Sequence, residues 1–495
     1  MKCLGAAAPL GFLSVLSANV GAVPKFVPFD GVMPAYLPAH PAIAIATLAL
    51  LAGCSAAPVS AAATSSTTTE ASTAATDAVD ASSVDLGAVG TLDSAEVHEV
   101  SLSFEDDDYQ AMLDAYTSTG NKEWIEATVT IDGETYERAG IRLKGNSSLG
   151  GLRGGGRGPG SGVSAEDPTT LPWLIRLDEF VEDQQHDGLT ELVVRSNNSS
   201  TALNEALALE LLDLAGLASQ DAVATSFSVN GSEPALRLAI ENPDDAWMAD
   251  QLAASGALYK AESSGDYTYR GDDPEAYTEV FDQEAGDDNA DLTPLIEFLD
   301  FVNNADDATF EAELESWLDV DAFATYLAMQ ELLANFDDID GPGNNAYLYY
   351  DTETEQFTVV PWDYNLAFGS GPGGGGPIMR GIAPGGGEMV PPPGGGMPAP
   401  PGDELPENAV PGGTGEQGAP RGPAGRTNPL VQRFLAVDAW NELYETRQEE
   451  LRESLFGSGV AAKVLAAWQG IVTSSGLVDA DTVTSEASGI ADQLS

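Results

Sequence analysis

Residues 335–369 read NFDDIDGPGNNAYLYYDTETEQFTVVPWDYNLAFG. Asp340 stands five positions before Asn345, across a turn too rich in Gly and Pro (Gly341, Pro342, Gly343) to be helix. AYLYYD (346–351) and QFTVVP (356–361) then read as two strands joined by TETE, and Asp363 follows directly after Trp362. One explanation is a turn built on Asx hydrogen bonds, with structural calcium. An EF-hand alignment from Asp338 fails, because it puts Pro342 at position five and Tyr349 at position twelve, and neither carries a carboxylate.

From 124 to 260 the chain reads mostly as strand, with one helix. WIEATVTI (124–131), a DG turn and ETYERAGIRLKG form a hairpin signal. The Gly-rich loop GNSSLGGLRGGGRGPGSG (145–162) follows, then strand candidates at 172–178 and 190–195. Residues 201–215 carry a helical apolar period, with Ser200 or Thr201 as N-cap and Gly216 as stop. A second hairpin spans 222–229 and 235–241 about an NG turn, and GALYK (256–260) is a short strand. Helical spacing dominates 293–304, 307–318 and 320–336, and returns at 428–456 and 459–475. Between them, residues 370–426 are Gly and Pro in the main and read as an irregular excursion. The expected fold is α+β, with a strand-rich lobe before a helix-rich lobe.

Composition excludes several functions. The 495 residues hold 78 Asp+Glu against 20 Lys+Arg, for a net charge of −58. Such a chain repels nucleic acid and anionic membrane surfaces. Its only cysteines are Cys3 and Cys54, and its only histidines are His40, His98 and His186. No disulfide framework, His–Cys zinc cluster or HExxH motif can be written from these. His98 and His186 lie in polar segments and are expected to be exposed and structural.

PAIAIATLALLAGC (41–54) is a short apolar run that ends in LAGC, which resembles the lipobox of secreted lipoproteins. Export and lipidation at Cys54 are expected, although only Lys25 lies near as a basic flank and Met33 offers another start. Residues 55–90 are largely Ala, Ser, Thr and acid, and read as a flexible linker. The expected organisation is 1–54 export segment, 55–90 linker, and a domain over 91–480 that carries the 370–426 insertion. The location implied is the extracellular face of the cell membrane, or secretion. The only membrane contact would be through the anchor.

Protein kinases place a catalytic Asp on a loop with an Asn five residues later as a metal ligand, and a further metal-binding Asp after a hairpin. Asp340, Asn345 and Asp363 follow that order. Together with GIRLKGNSS, VNG (229–231), IEN (240–242), ALYK (257–260) and NPLVQRFLAVDAWNELYETR, the stretch 335–369 resembles the CotH family of spore-coat-type secretory kinases. The resemblance implies an atypical, bilobal, protein-kinase-like fold and transfer of phosphate from ATP to Ser or Thr of a secreted or cell-surface protein. It implies Asp340 as the catalytic-loop acid, with Asp363 and Asn345 on Mg2+ or Mn2+. Two departures stand out. Asn365 sits where the family carries a second acid, and the 370–426 excursion replaces a short segment.

The nucleotide side is open on residues alone. Gly145, Ser147 and Ser148 could wrap phosphates with backbone N–H groups, or belong to a surface loop. Lys144, Arg176 and Lys260 compete as the basic phosphate contact, and Arg176 has the order expected of a strand residue paired with Glu205 on the following helix. An inactive surface-binding or adhesion module and a metal-dependent hydrolase are the alternative functions.

Overall fold

The computed structural model describes residues 84–145, 147–153, 162–253, 255–262, 265–286, 291–341, 344–369 and 428–494. Cys54, the export segment, most of the linker and the 370–426 insertion lie outside the described residues. The chain divides into units 1–75 and 76–495, and everything below concerns the second.

A short ribbon of β1 (Ala88–Val89) and β2 (Leu92–Asp93) leads into β3 (Val97–Ser103). Helix α1 (Asp106–Thr119) follows. Its first turn holds Asp106, Asp107 and Asp108, where the helix dipole favours acid, and Gly120 ends it at a left-handed φ of 91°. Strands β4 (Ile125–Ile131) and β5 (Glu134–Leu143) form the expected hairpin. Its turn, Asp132-Gly133, has both φ values positive, as a two-residue hairpin of the favoured twist requires. Strands β6 (Trp173–Arg176) and β7 (Glu191–Val194) come next, then α2 (Leu203–Leu214) and the hairpin of β8 (Ala222–Val229) and β9 (Ala235–Ile240) about Asn230-Gly231.

These strands close a seven-stranded barrel in the order β3-β4-β5-β6-β7-β9-β8. All its pairs are antiparallel except β3–β8, which runs parallel from Val97↔Ala224 to Leu102↔Val229. Alternate residues such as Val100, Leu102, Val129, Ile131, Ile141 and Ile175 fill the interior, and Tyr109, Met112, Leu113 and Tyr116 of α1 pack against them. The outer faces of β6 to β9 are also buried: Leu174, Val193, Ala224, Leu236 and Leu238 pack with α2. Burial on both faces explains why LVV and WLI read as unbroken apolar runs.

Helix α3 (Asp245–Gln251) leads to a second sheet, ordered β11-β10-β12-β13 and antiparallel throughout. Its strands are β10 (Gly256–Ala261), β11 (Phe281–Ala285), β12 (Ala346–Asp351) and β13 (Gln356–Pro361). The remainder is helical: α4 (Thr293–Asn304), α5 (Asp307–Glu313), α6 (Val320–Leu332), α7 (Pro429–Ala436), α8 (Asp438–Leu451), α9 (Val460–Ser475) and α10 (Ala480–Ala491). Helix α9 lies along α2 and α10, and α8 along α6. No single helix among the described residues is long and apolar enough to cross a membrane.

The molecule is therefore mixed α+β, strand-rich first and helical later. It departs from expectation in three places. The helical run 428–456 is broken at Val437, whose ψ of 119° separates α7 from α8. Strands β3 and β11 and helices α1, α3 and α10 had not been expected. His98 and His186 are buried rather than exposed: His98 bridges Asp132 (Nδ1 to Oδ2, 2.7 Å) and the Asp93 carbonyl, and His186 pairs with the Tyr136 hydroxyl at 2.8 Å.

Candidate active site

Three elements meet at one guanidinium. Arg195 follows β7 and is pinned by its backbone N–H, which donates to the Leu238 carbonyl at 2.8 Å. Its Nη2 donates to Glu205 Oε1, in the first turn of α2, at 2.8 Å, and also to Asp363 Oδ1, two residues beyond β13. Glu205 is 2 % exposed, so this is a buried ion pair. Burial works against the Arg195 cation, but the two carboxylates outweigh it and hold its pKa above the ordinary arginine value. Burial likewise pushes Glu205 up, against the pull of Arg195 and with the Asp363 charge adding to the rise. Asp363 has a φ of 62°, left-handed backbone that costs a non-glycine residue roughly 1–2 kcal/mol. Just after it, the Asn365 carbonyl accepts from Asn204 Nδ2 at 2.7 Å, which ties the Asp363 segment to α2 a second time.

A basic cluster adjoins this triad. Of the four lysines among the described residues, Lys122 and Lys144 each lie close enough to feel the charges of Lys260 and Arg142. Lys144, at the end of β5, donates to Asn242 Oδ1 at 2.8 Å, and Asn242 Nδ2 donates to Glu191 at 2.6 Å. The Lys144 ammonium and the Arg195 guanidinium both approach the Trp362 ring, at 5.7 and 5.9 Å from its centroid. Burial first, and then Lys260 and Arg142 against the pull of Glu284, push Lys144 down to about 8. Lys122 falls to about 8 for the same reasons. For Lys144 this corresponds to about 3 kcal/mol against the charged form, which a bound polyanion would relieve. Two buried polar atoms in this region, Tyr347 Oη and Arg142 Nε, have no hydrogen-bond partner among the described residues, as expected where a ligand or water belongs.

Asn344 and Asn345 lie at the same end of the β12–β13 hairpin. Ala346 pairs with Pro361, so the chain positions of Asn345 and Trp362–Asp363 flank that first rung. Asn344, rather than Asn345, is the buried amide, and donates to the Glu262 and Gly265 carbonyls at 2.9 and 3.0 Å. The Asn345 side chain is half-buried and makes no hydrogen bond among the described residues. Asp340 is half-buried: its Oδ1 accepts from the Asn428 N–H at 2.6 Å, at the start of α7, and its own N–H donates to Asp338. No direct contact joins Asp340 to Asp363 among the described residues. No closed cage of three or more His, Cys, Asp or Glu side chains occurs there either. One carboxylate and one amide oxygen suit Mg2+, a hard cation that retains waters and takes substrate phosphate as a ligand. Asp363 and Asn345 are in that sense a fitting pair.

The other expected residues fall as follows. Glu205 is paired, but with Arg195 and not with Arg176. Arg176 faces Glu191 across the β6–β7 rung and also pairs with Asp178 and Glu179, at 3.3, 3.1 and 3.8 Å. Arg195 is the next strand's residue, and only it reaches the start of α2. Lys260, opposite Tyr347 on β12, is 3.9 Å from Glu262. Gly145 has a φ of 94°, and a Cβ there would come within 2.5 Å of Ser148 Oγ, so the turn leaving Lys144 requires glycine. Ser147 begins a short 3-10 turn that runs to Arg153. Arg195, Lys122, Arg142, Asn242 and Trp362 had not been singled out as site residues. The VVR run at 193–195, which leaves β7 ahead of α2, was the available signal for Arg195, and the scarcity of lysine was the signal for Lys122.

The family model for the CotH kinase protein matches residues 141–486, from β5 into α10. A match over most of the chain defines its class: the chain belongs to the CotH kinase family. It is similar to the inner spore coat protein H of Bacillus subtilis (strain 168), with 25 % identity over 196 residues, 38 % of this chain and 53 % of that protein. The chain thus spans about half the length of the curated relative it matches. Membership in this family points to protein kinase chemistry with ATP as the donor.

Proposed function

We propose that this chain is an exported, lipid-anchored or secreted protein kinase with an atypical bilobal arrangement, which transfers the ATP γ-phosphate to Ser or Thr of a secreted or cell-surface protein. The observation that carries the reading is the Arg195 bridge between Glu205 and Asp363. Kinases need a basic strand residue paired to a helix Glu, and a metal-binding Asp brought beside it. Here an arginine takes the strand position, and its planar fork lets one side chain serve both carboxylates. Lys144, Lys122 and Lys260 offer charge for the phosphates, and the Trp362 ring lines the approach. Asp363 and Asn345 would hold Mg2+ or Mn2+, which supplies charge neutralisation on the β- and γ-phosphates.

Asp340 orients the acceptor hydroxyl and takes its proton as the hydroxyl oxygen bonds to the γ-phosphorus. The bridging oxygen leaves with ADP and keeps the electron pair of the broken bond. The Asn428 N–H, at the start of α7, holds Asp340 Oδ1 and so fixes the carboxylate. Incubation with γ-labelled ATP and magnesium tests this: label on protein Ser or Thr is expected. Label released only as inorganic phosphate would favour a hydrolase, and no turnover together with no ATP binding would favour an inactive binding module, for which Asn365 is the sequence argument. Anchoring through Cys54 is the part read from LAGC. Cys54→Ser should move the protein out of the membrane fraction, and an unchanged distribution would count against a lipid anchor.

A further inference from the structure

The C-terminal helix α10 and the residues just after it bond to the chain segments that carry the two carboxylates of the Arg195 bridge. Glu486, half-buried on α10, accepts from the Ser200 N–H and the Thr201 N–H, each at 3.1 Å, and from the Thr201 hydroxyl at 2.5 Å. These residues are the entry to α2, whose first turn carries Glu205. The entry needs outside support, because Ala202 at the N-cap has a φ of 54° and no side chain able to cap. A carboxylate also sits favourably at a helix N-terminus. Seven residues further along the chain, just past the end of α10, Gln493 Nε2 donates to the Phe368 carbonyl at 2.7 Å. Phe368 lies five residues after Asp363, at a φ of 55°, and its N–H is held by the Leu333 carbonyl at 2.7 Å. One short helix and the residues that leave it therefore fasten the start of α2 and the segment that follows Asp363.

We infer that α10 is a brace for the phosphoryl-transfer site, and that Glu486 is a positioning residue that sets Glu205 against Arg195 and Asp363. The inference rests on the kinase reading for its catalytic consequence, and on the hydrogen bonds alone for its mechanical one. Glu486→Gln keeps the shape but removes an acceptor, because an amide cannot accept at both ends. A displacement of order 1 Å at a catalytic group can cost up to about 100-fold in rate. In the full chain, Glu486→Gln should lower kcat by about 10- to 100-fold. It should also speed hydrogen exchange at the Ser200 and Thr201 amides by at least about 10-fold. Val483→Ala, at a fully buried α10 position away from these bonds, serves as the matched control. It should lower the melting temperature at least as much and keep kcat within about twofold.

Equal loss of kcat in both variants at equal loss of melting temperature would reduce Glu486 to a structural role and overturn the inference. So would unchanged exchange at Ser200 and Thr201 in Glu486→Gln. If the wild type neither binds ATP nor transfers phosphate, the kinase reading fails separately. The exchange rates then decide the brace on their own, faster exchange supporting it and unchanged exchange overturning it.

Discussion

Arg195 is the residue on which the site turns, and the energetics of burial say what it does. A guanidinium between two carboxylates at 2 % exposure of Glu205 is costly to assemble and costlier to break. Removing Arg195 alone leaves Glu205 and Asp363 facing each other without a cation. Arg195→Met should therefore destabilise the protein by about 3–5 kcal/mol, while Arg195→Met with Glu205→Leu should recover much of that loss. Urea unfolding of both variants and of Glu205→Leu gives the coupling. Additive losses would mean that the pair carries no special energy. The double variant should still fail to bind nucleotide if the kinase reading holds, which separates stability from function. The sequence showed two of the three partners. Glu205 was visible at the start of an amphipathic helix and Asp363 after a hairpin, but Arg176 and Arg195 both end an apolar strand ahead of that helix. Only the closing of the barrel decides between them, and strand order is a long-range property that spacing does not carry.

At the scale of elements, the hairpins and the long apolar helices were legible because their signals are local. Asp132-Gly133 and Asn230-Gly231 both adopt the positive φ values their turns demand. Helix α2 buries ten consecutive residues from Leu203 to Leu212, and its apolar density made it plain. Helix α10 was missed because ADTVTSEASGIA offers only Val483, Ala487 and Ile490 to the core, with β-branched residues and Gly between them. Strand β3 is hard to read from VHEVSLS although it alternates, because its outward residues Glu99, Ser101 and Ser103 have little strand preference and its pairing to β8 lies more than a hundred residues away. The acidic turn was legible as a turn, and its division of labour was not. Asn344 takes the structural role by reaching the Glu262 and Gly265 carbonyls, which leaves Asn345 available at the hairpin mouth. Adjacent asparagines in a sequence give no hint of which one turns inward.

For the whole molecule, charge sets the response to pH. Glu210 and Glu241 are pushed up to about 8 and Asp221 to about 6. Burial is the first cause in each, and mutual repulsion with Asp213, Asp244 and Asp250 adds to it. The folded chain thus holds protons that the unfolded chain releases. The stability they confer is full below about pH 4 and is lost as pH rises through 6 to 8, at up to about 1.4 kcal/mol per pH unit for each group titrating. Lys144 and Lys122 act oppositely at higher pH, because their depressed values make the folded state shed protons first between about 8 and 10.5. Urea unfolding at fixed high salt should show stability falling from pH 5 to 8, with a shallower fall in Glu241→Gln. An identical slope in that variant would remove Glu241 from the account. The central claim concerns the two acids of the quoted stretch, and calorimetric titration of ATP with magnesium tests it most directly. Asp363→Ala should abolish magnesium-dependent binding, because it removes the charged metal ligand. Asp340→Ala should bind nearly as the wild type does and lose transfer by at least about 100-fold. The result that would contradict the account is a wild type that binds no ATP at millimolar concentration, with both variants altered only in stability.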